Sequence, residues 1–325
     1  MKRIAFHLFR LVALACLASP LAAAAQAYPA KPVRVLVPFA AGSIPDLVAR
    51  LVSDKMTGGL GQPVLVENRI GAGGRIAAEA VARTAPDGYT LLLGTASTHM
   101  VSPLLVKNMP YDPVKDFTPI AIAVTPVSGV VVNGAVPVSS VKELVDYARA
   151  NPGKIAYASN GIGSSHHLVG ELIKMTAGVD MLHVPLAGSN QVLNAVLAGH
   201  VQLSFSSPGS VGPYLSSGKL KLLAVVPPKR FPGTPNVPTL AESLPGYDPV
   251  TDWFGYFGPA GLPQPIVSRV NAEIVKALNA PDVRAKLNSA TQLVIASSPE
   301  ELAAMMKRES QIYARIVKAA NIPAQ

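Results

Sequence analysis

Five short segments of the 325-residue chain carry small or hydroxyl residues directly after an apolar run: Gly42-Ser43, Ser97-Thr98, Asn160 to Ser165, Gly188-Ser189 and Ser206-Ser207. None contains Lys or Arg. Where such a segment leads from a strand into a helix, the first backbone N–H groups of the helix lack intrahelical partners and lie at the positive end of its dipole. They can bind a carboxylate without a charged side chain. Singly, each segment is an ordinary cap or turn. Together they read as the lining of a pocket for a small anion.

Three other motifs suggest different chemistry and fit it poorly. Gly71-Ala72-Gly73-Gly74-Arg75-Ile76 begins like a dinucleotide fingerprint, but Ile76 fills the third small position, so a turn into a helix is the better reading. Gly209-Ser210-Val211-Gly212 approximates a hydrolase elbow with Pro208 where the first glycine must be. His166 and His167 are adjacent and point about 100° apart on a helix. With no carboxylate or cysteine cluster in reach by sequence, a cap or surface role is favoured over a metal. Trp253, Phe254, Tyr256 and Phe257 read as core rather than as a stacking platform. No catalytic residue, metal or cofactor is expected.

The elements that must position these segments alternate along the chain. Val33 to Val37 is an apolar strand, and Ile44, Leu47, Val48, Leu51 and Val52 then recur at helical intervals. Ser43 and Asp46 have the spacing of a capping box, so this helix is expected to begin at the small-residue loop. Val64 to Glu67 and Tyr89 to Gly94 read as strands on either side of a helix over Gly74 to Arg83. Phe117 to Val132 is one long β-rich stretch, long enough to cross between lobes. Ser140 and Glu143 repeat the capping-box spacing before the next helix. Ser165 and Ser189 precede two more, which end at Gly178 and Gly199. Ile155 to Ser159, Val201 to Phe205 and Lys221 to Val226 are strands. Beyond the Pro-rich stretch Pro227 to Pro249, Trp253 to Phe257 is β-like, Ile266 to Leu278 is a helix, and Ser298-Pro299-Glu300-Glu301 starts a terminal helix. Such alternation indicates α/β lobes with mostly parallel sheets, whose ligands sit beyond the carboxyl ends of strands.

Residues 1–27 read as an export signal: Lys2, Arg3 and Arg10 lead, Leu11 to Leu21 is a short apolar stretch, and Ala25-Gln26-Ala27 fits a cleavage site. Cys16 follows a poor lipid-attachment pattern and would be discarded. Removing 27 of the 325 residues leaves 298, free of cysteine, and lowers the formal net charge from +9 to +6. The remaining basic residues are scattered, so a nucleic-acid surface is not expected. Periplasmic localisation is. The length favours two lobes joined by short connections.

The order of short motifs makes the chain recognisable. It carries Tyr28-Pro29-Ala30-Lys31-Pro32, Val37-Pro38-Phe39-Ala40-Ala41-Gly42 with Asp46 and Arg50, Val66-Glu67-Asn68-Arg69 before Gly71-Ala72-Gly73-Gly74, and Pro86-Asp87-Gly88-Tyr89-Thr90. Then come Ser97-Thr98-His99, Ser159-Asn160-Gly161 with Gly163-Ser164, His183-Val184-Pro185 with Gly188-Ser189, Val237-Pro238-Thr239 with Glu242, and Trp253-Phe254-Gly255 with Pro259-Ala260-Gly261. In this it resembles the extracytoplasmic solute receptors of tripartite tricarboxylate transporters, the TctC or Bordetella uptake gene (Bug) family, over essentially the whole mature length.

The resemblance implies a type II periplasmic binding fold. Lobe 1 is then expected over residues 28–127, lobe 2 over 128–250, and a return to lobe 1 over 251–325. It implies a non-catalytic monomer that closes on a small carboxylate and delivers it to integral membrane permease subunits. A ligand-sensing subunit signalling to a membrane sensor kinase is the alternative. Carried over position by position, the ligand contacts are Phe39, Ala40, Ala41, Gly42, Ser43, Ser97 and Thr98 from the first lobe. From the second they are Asn160, Gly161, Ser164, Gly188, Ser189 and Ser206. Three departures stand out. Ser43 replaces a usual second glycine, Leu186-Ala187 replaces a common Tyr-Lys, and Ser206 stands where Asp is frequent. With that acid missing, an amine-free carboxylate is expected to be preferred over an amino acid.

Overall fold

The structure is a computed structural model and describes residues 28–324; the expected signal segment over residues 1–27, with Cys16, lies outside the described residues. Two sheets form the centres of two α/β lobes. In the first, β1 (Val33–Val37), β2 (Val64–Asn68) and β3 (Thr90–Thr95) are parallel and lie in the order β2-β1-β3. Helices α1 (Ile44–Leu60) and α2 (Arg75–Ala82) connect them. Most of β1 and all of β3 are buried, as befits parallel strands covered on both faces. Helix α1 stops at Gly61, whose φ of 69° brings its N–H to the Thr57 carbonyl at 3.0 Å.

The long β-rich stretch divides where the chain leaves the first lobe. Strand β4 (Phe117–Pro126) belongs to the first sheet and β5 (Gly129–Asn133) to the second. The second lobe continues with α3 (Val141–Ala150), β6 (Ala156–Ser159), α4 (Ser165–Ala177), β7 (Leu182–Pro185) and α5 (Ser189–Leu197). It closes with β8 (Leu203–Ser206), α6 (Pro208–Ser216) and β9 (Leu220–Val225), and its strand order is β7-β6-β8-β5-β9. On its return the chain forms β10 (Phe254–Pro259), which slots antiparallel between β3 and β4. There follow α7 (Gln264–Asn279), α8 (Pro281–Ser289), β11 (Gln292–Val294) against β4, and α9 (Pro299–Ala319).

Both crossovers are tied to the C-terminal part of the chain. At the first, Val127 N–H donates to the Thr291 carbonyl at 3.0 Å, and Val127, Val225, Phe231 and Leu293 form a small apolar cluster. At the second, Thr251 Oγ1 and Trp253 Nε1 donate to the two oxygens of Glu309 on α9 at 3.0 and 3.3 Å. Tyr313 OH donates to the Thr251 carbonyl at 3.1 Å. Trp253, Phe254, Tyr256 and Phe257 are all buried, so the aromatic group is core. Glu309 is wholly buried, and that burial pushes its carboxyl up to about 7.

Several local expectations are revised. The capping box at Ser43 does not form: Ser43 makes no side-chain cap bond, and Asp46 reaches past it to the amide of Gly42 at 2.9 Å. Asp46 is drawn there because Arg50 and Asn68 also donate to it. Ser164 rather than Ser165 caps α4, and Gly188 rather than Ser189 is the N-cap of α5. Elements not read from the sequence appear, the four-residue strand β7 among them. Helix α6 contains Pro208, Gly209, Gly212 and Pro213, which blur its pattern, α8 is short, and β11 has only three residues. A helical turn over Leu240–Ser243 carries a full capping box between Thr239 and Glu242, a signal that was present in the sequence inside the Pro-rich stretch. The boxes read at Ser140 and Ser298 do accept from Glu143 and Glu301 amides.

Candidate ligand-binding cleft

A cavity of about 400 Å³ lies between the two sheets, walled by residues of both lobes. Four helices start at it. Ile44 opens α1 from the first lobe, while Ser165 opens α4, Ser189 opens α5 and Ser207 caps α6 from the second. Each start brings unpaired N–H groups and the positive end of a helix dipole. Among the described residues, no Lys or Arg lines the cavity. The combination can hold an anion by fixed backbone dipoles, and the apolar share of the wall, with Val169, Leu193, Phe205 and Val226, suits a small organic body.

Of the positions expected from sequence, Ser189 and Ser206 line this cavity. Ser43 stands next to Ile44, and its hydroxyl is buried with no hydrogen-bond partner among the described residues. The loop Phe39 to Ser43 lies before α1 and is held by Asn68, whose Nδ2 donates to the Phe39 carbonyl and to Asp46, both at 2.9 Å. The amides of Gly42 and Ser43 are engaged, with Asp46 and with the Ala40 carbonyl at 3.1 Å. Burial pushes the Asp46 carboxyl up, but bonds from Arg50, Gly42 and Asn68 outweigh it and hold the group below its ordinary range.

Ser97 and Thr98 lie just beyond β3 and do not line the cavity. Ser97 is exposed, whereas Thr98 is fully buried and its hydroxyl donates to the Thr95 carbonyl at 2.9 Å. In the second lobe, Asn160 Nδ2 donates to Ser189 Oγ at 3.3 Å, which joins two of the expected segments. Gly161 and Gly188 have φ of 115° and 102°, values that need glycine, and Ser164 Oγ accepts from the His167 amide. The turn is locked from beneath by Ser159, whose hydroxyl meets His183 Nε2 at 2.7 Å and accepts from Gly161.

The two adjacent histidines part company, as their angular separation requires. His167 turns inward and accepts from the Gly163 amide at 3.1 Å, a supporting role in the turn. His166 lines the cavity, with Nδ1 buried and without a partner among the described residues. Burial lowers the His166 imidazole to about 4, so it is neutral at pH 7.

Sequence reasoning missed several polar wall residues, among them Asp252, Thr291 and Gln292 from the returning part of the chain. Among the described residues, Asp252 is the sole carboxylate on the wall, and burial pushes its carboxyl up to about 6. Thr291 has a φ of 59°, a left-handed conformation that is strained for a β-branched residue. Nothing in the spacing of these residues marks them, because only the insertion of β10 and β11 into the first sheet brings them here. Among the described residues, no group of three or more His, Cys, Asp or Glu could hold a metal ion, and no helix is long and apolar enough to cross a membrane.

Comparison with known proteins agrees over most of the chain. A family model described as the tripartite tricarboxylate transporter family receptor matches residues 48–322. A UPF0065 protein from the tcbD-tcbE intergenic region of Pseudomonas sp. strain P51 is 36% identical over 294 residues, covering 90% of this chain and 87% of the relative. Among solved structures, Rpa4515 of R. palustris with adipate is 34% identical with a TM-score of 0.71, covering 91% of this chain and 99% of that one. MatC of Rhodopseudomonas palustris with bound malate is 36% identical with a TM-score of 0.67, covering 89% and 100%.

Proposed function

Because this chain belongs to the tripartite tricarboxylate transporter receptor family, whose members are periplasmic solute-binding receptors and not enzymes, we propose that it captures a small carboxylate between its lobes and hands it to a membrane permease. One observation carries the reading: helix starts from both lobes meet at a single cavity that no Lys or Arg among the described residues lines. A ligand carboxylate seated there takes its charge compensation from backbone N–H groups and dipoles, while hydroxyls such as Ser189 and Ser206 fix its orientation. The malate and adipate held by the two neighbours support a carboxylate ligand for this chain as well.

Export to the periplasm through the segment over residues 1–27 belongs to the same proposal, as does the division into lobe 1 over 28–127 and 251–325 and lobe 2 over 128–250. The ligand bridges Ile44 on one lobe and Ser189 or Ser206 on the other, so it favours the closed form over the open one. That difference in shape is what a permease can read. Thermal unfolding in the presence of mono-, di- and tricarboxylates tests the capture step. A true ligand at about a hundred times its Kd adds roughly 2.7 kcal/mol of stability. Deletion of the gene should abolish uptake of the same compound; loss of a transcriptional response with uptake intact would refute the transport role.

A further inference from the structure

The cavity is lined by donors and acceptors that come from different parts of the chain. On the second-lobe wall, the starts of α4, α5 and α6 present donors. On the wall formed by the returning chain, two groups present acceptors. Asp252 lines the cavity at the second crossover, with Oδ1 accepting from the Trp253 amide at 3.1 Å and no cation facing it among the described residues. Gln292 is 95% buried by its 5% exposure, and its Nε2 donates to the carbonyls of Ala290 and Thr291 at 3.0 and 3.1 Å. Those two bonds fix which way the amide points. They leave Oε1 buried on the wall with no donor among the described residues. A buried acceptor without a donor is costly unless a ligand supplies one.

Resting on the reading of this cleft as a carboxylate site, we infer that the ligand is an amino carboxylate, with its carboxylate at the second-lobe helix starts and its protonated nitrogen at Asp252 and Gln292 Oε1. An ammonium group carries three donors and no acceptor, which suits a cavity lined by these two acceptors. A dicarboxylate spanning the same distance brings a second negative charge to Asp252, and one of the two carboxyls must then hold a proton. Burial has already pushed Asp252 up to about 6, so an adjacent cation stabilises its ionised form and an adjacent anion does the reverse. This reverses the preference expected from Ser206. The acid lacking at that position of the second lobe is supplied by Asp252 from the return segment.

Calorimetric titration of the mature chain near neutral pH, with amino carboxylates and dicarboxylates of matched carbon length, tests the inference. The amino member of the best-binding pair should bind about tenfold tighter or more, a difference of ~1.4 kcal/mol or more. Asp252→Asn should remove that advantage, so that the amino carboxylate binds no tighter than the dicarboxylate of the same length. A dicarboxylate that binds as tightly as its amino partner overturns the inference but leaves the carboxylate site standing, and so does an Asp252→Asn protein that keeps the full advantage. Failure of every carboxylate to bind overturns both. Should Asp252→Asn not fold, the ranking of the wild-type protein decides alone.

Discussion

Gly209, on the second-lobe helix α6, meets Thr291 of the first lobe so closely that a Cβ added to the glycine would lie 2.8 Å from Thr291 Oγ1. The absent side chain lets the lobes touch at the rim of the cavity. Gly209→Ala is therefore expected to wedge this contact and weaken ligand binding by about threefold to tenfold, through the balance of open and closed forms. In the helix itself alanine is favourable by up to about 1 kcal/mol over glycine. Unchanged or higher thermal stability together with weaker calorimetric affinity is the expected pair of results; a drop in both would point to ordinary misfolding instead.

Thr291 itself stores backbone strain. Its φ of 59° costs a β-branched residue of the order of 1–2 kcal/mol, which glycine does not incur. Against this stands glycine's larger loss of conformational freedom on folding, roughly 0.5–1 kcal/mol. Thr291→Gly should raise stability by up to about 1 kcal/mol in denaturant unfolding. A clear loss would show that the Thr291 side chain, not its backbone, holds the turn.

Glu309 makes the second crossover sensitive to pH. Its carboxyl is raised to about 7 from the ordinary 4.5, with burial as the leading cause, so the folded chain binds a proton more readily than the unfolded chain does. The stability it contributes is fully present below pH 4.5 and is lost as pH rises through about 7, an amount of the order of 3 kcal/mol. Glu309→Gln keeps an acceptor for Trp253 Nε1 and offers its own N–H to Thr251 Oγ1. Stability measured from pH 5 to 8 should fall less steeply in this variant than in the wild type; parallel curves would contradict the assignment.

Asp46 fastens the loop that leads into α1. It is 3% exposed and accepts from Gly42 N–H, Arg50 Nε and Asn68 Nδ2, each at 2.9 Å. Asp46→Asn replaces an acceptor with a donor among groups that all donate, and should cost about 1–3 kcal/mol. Because the loop positions the start of α1, ligand affinity should fall as well. The carboxyl is held below its ordinary range, so its stabilisation is present at neutral pH and is lost as pH falls through the folded-state value. Acid unfolding of the wild type and the variant should therefore converge at low pH.

Much of the fold was legible because the signals for it are local. The helical recurrence after Ser43, the box at Ser298 and Glu301, and the alternation of strands with helices act over a few residues each. Residue spacing misjudged the cap at Ser43, where Arg50 and Asn68 compete for Asp46 from outside the first turn. It passed over β11, whose three residues are too few to show a period, and α6, whose proline and glycines weaken one. His166 and His167 could be told apart only as pointing in different directions; packing decided that one faces the cavity and the other the turn.

The sequence by itself determined the α/β architecture and the small, uncharged character of the strand-to-helix junctions, because periodicity and capping are properties of contiguous residues. Only the tertiary structure decided which junctions share a cavity, and that Asp252, Thr291 and Gln292 line the same cavity as Ser189 and Ser206. The physical reason lies in the chain's path: it crosses between sheets twice, and β10 and β11 pair with β3 and β4 across separations of more than a hundred residues. Contacts made at such range depend on how strands order themselves in a sheet, and no local spacing of side chains encodes that order.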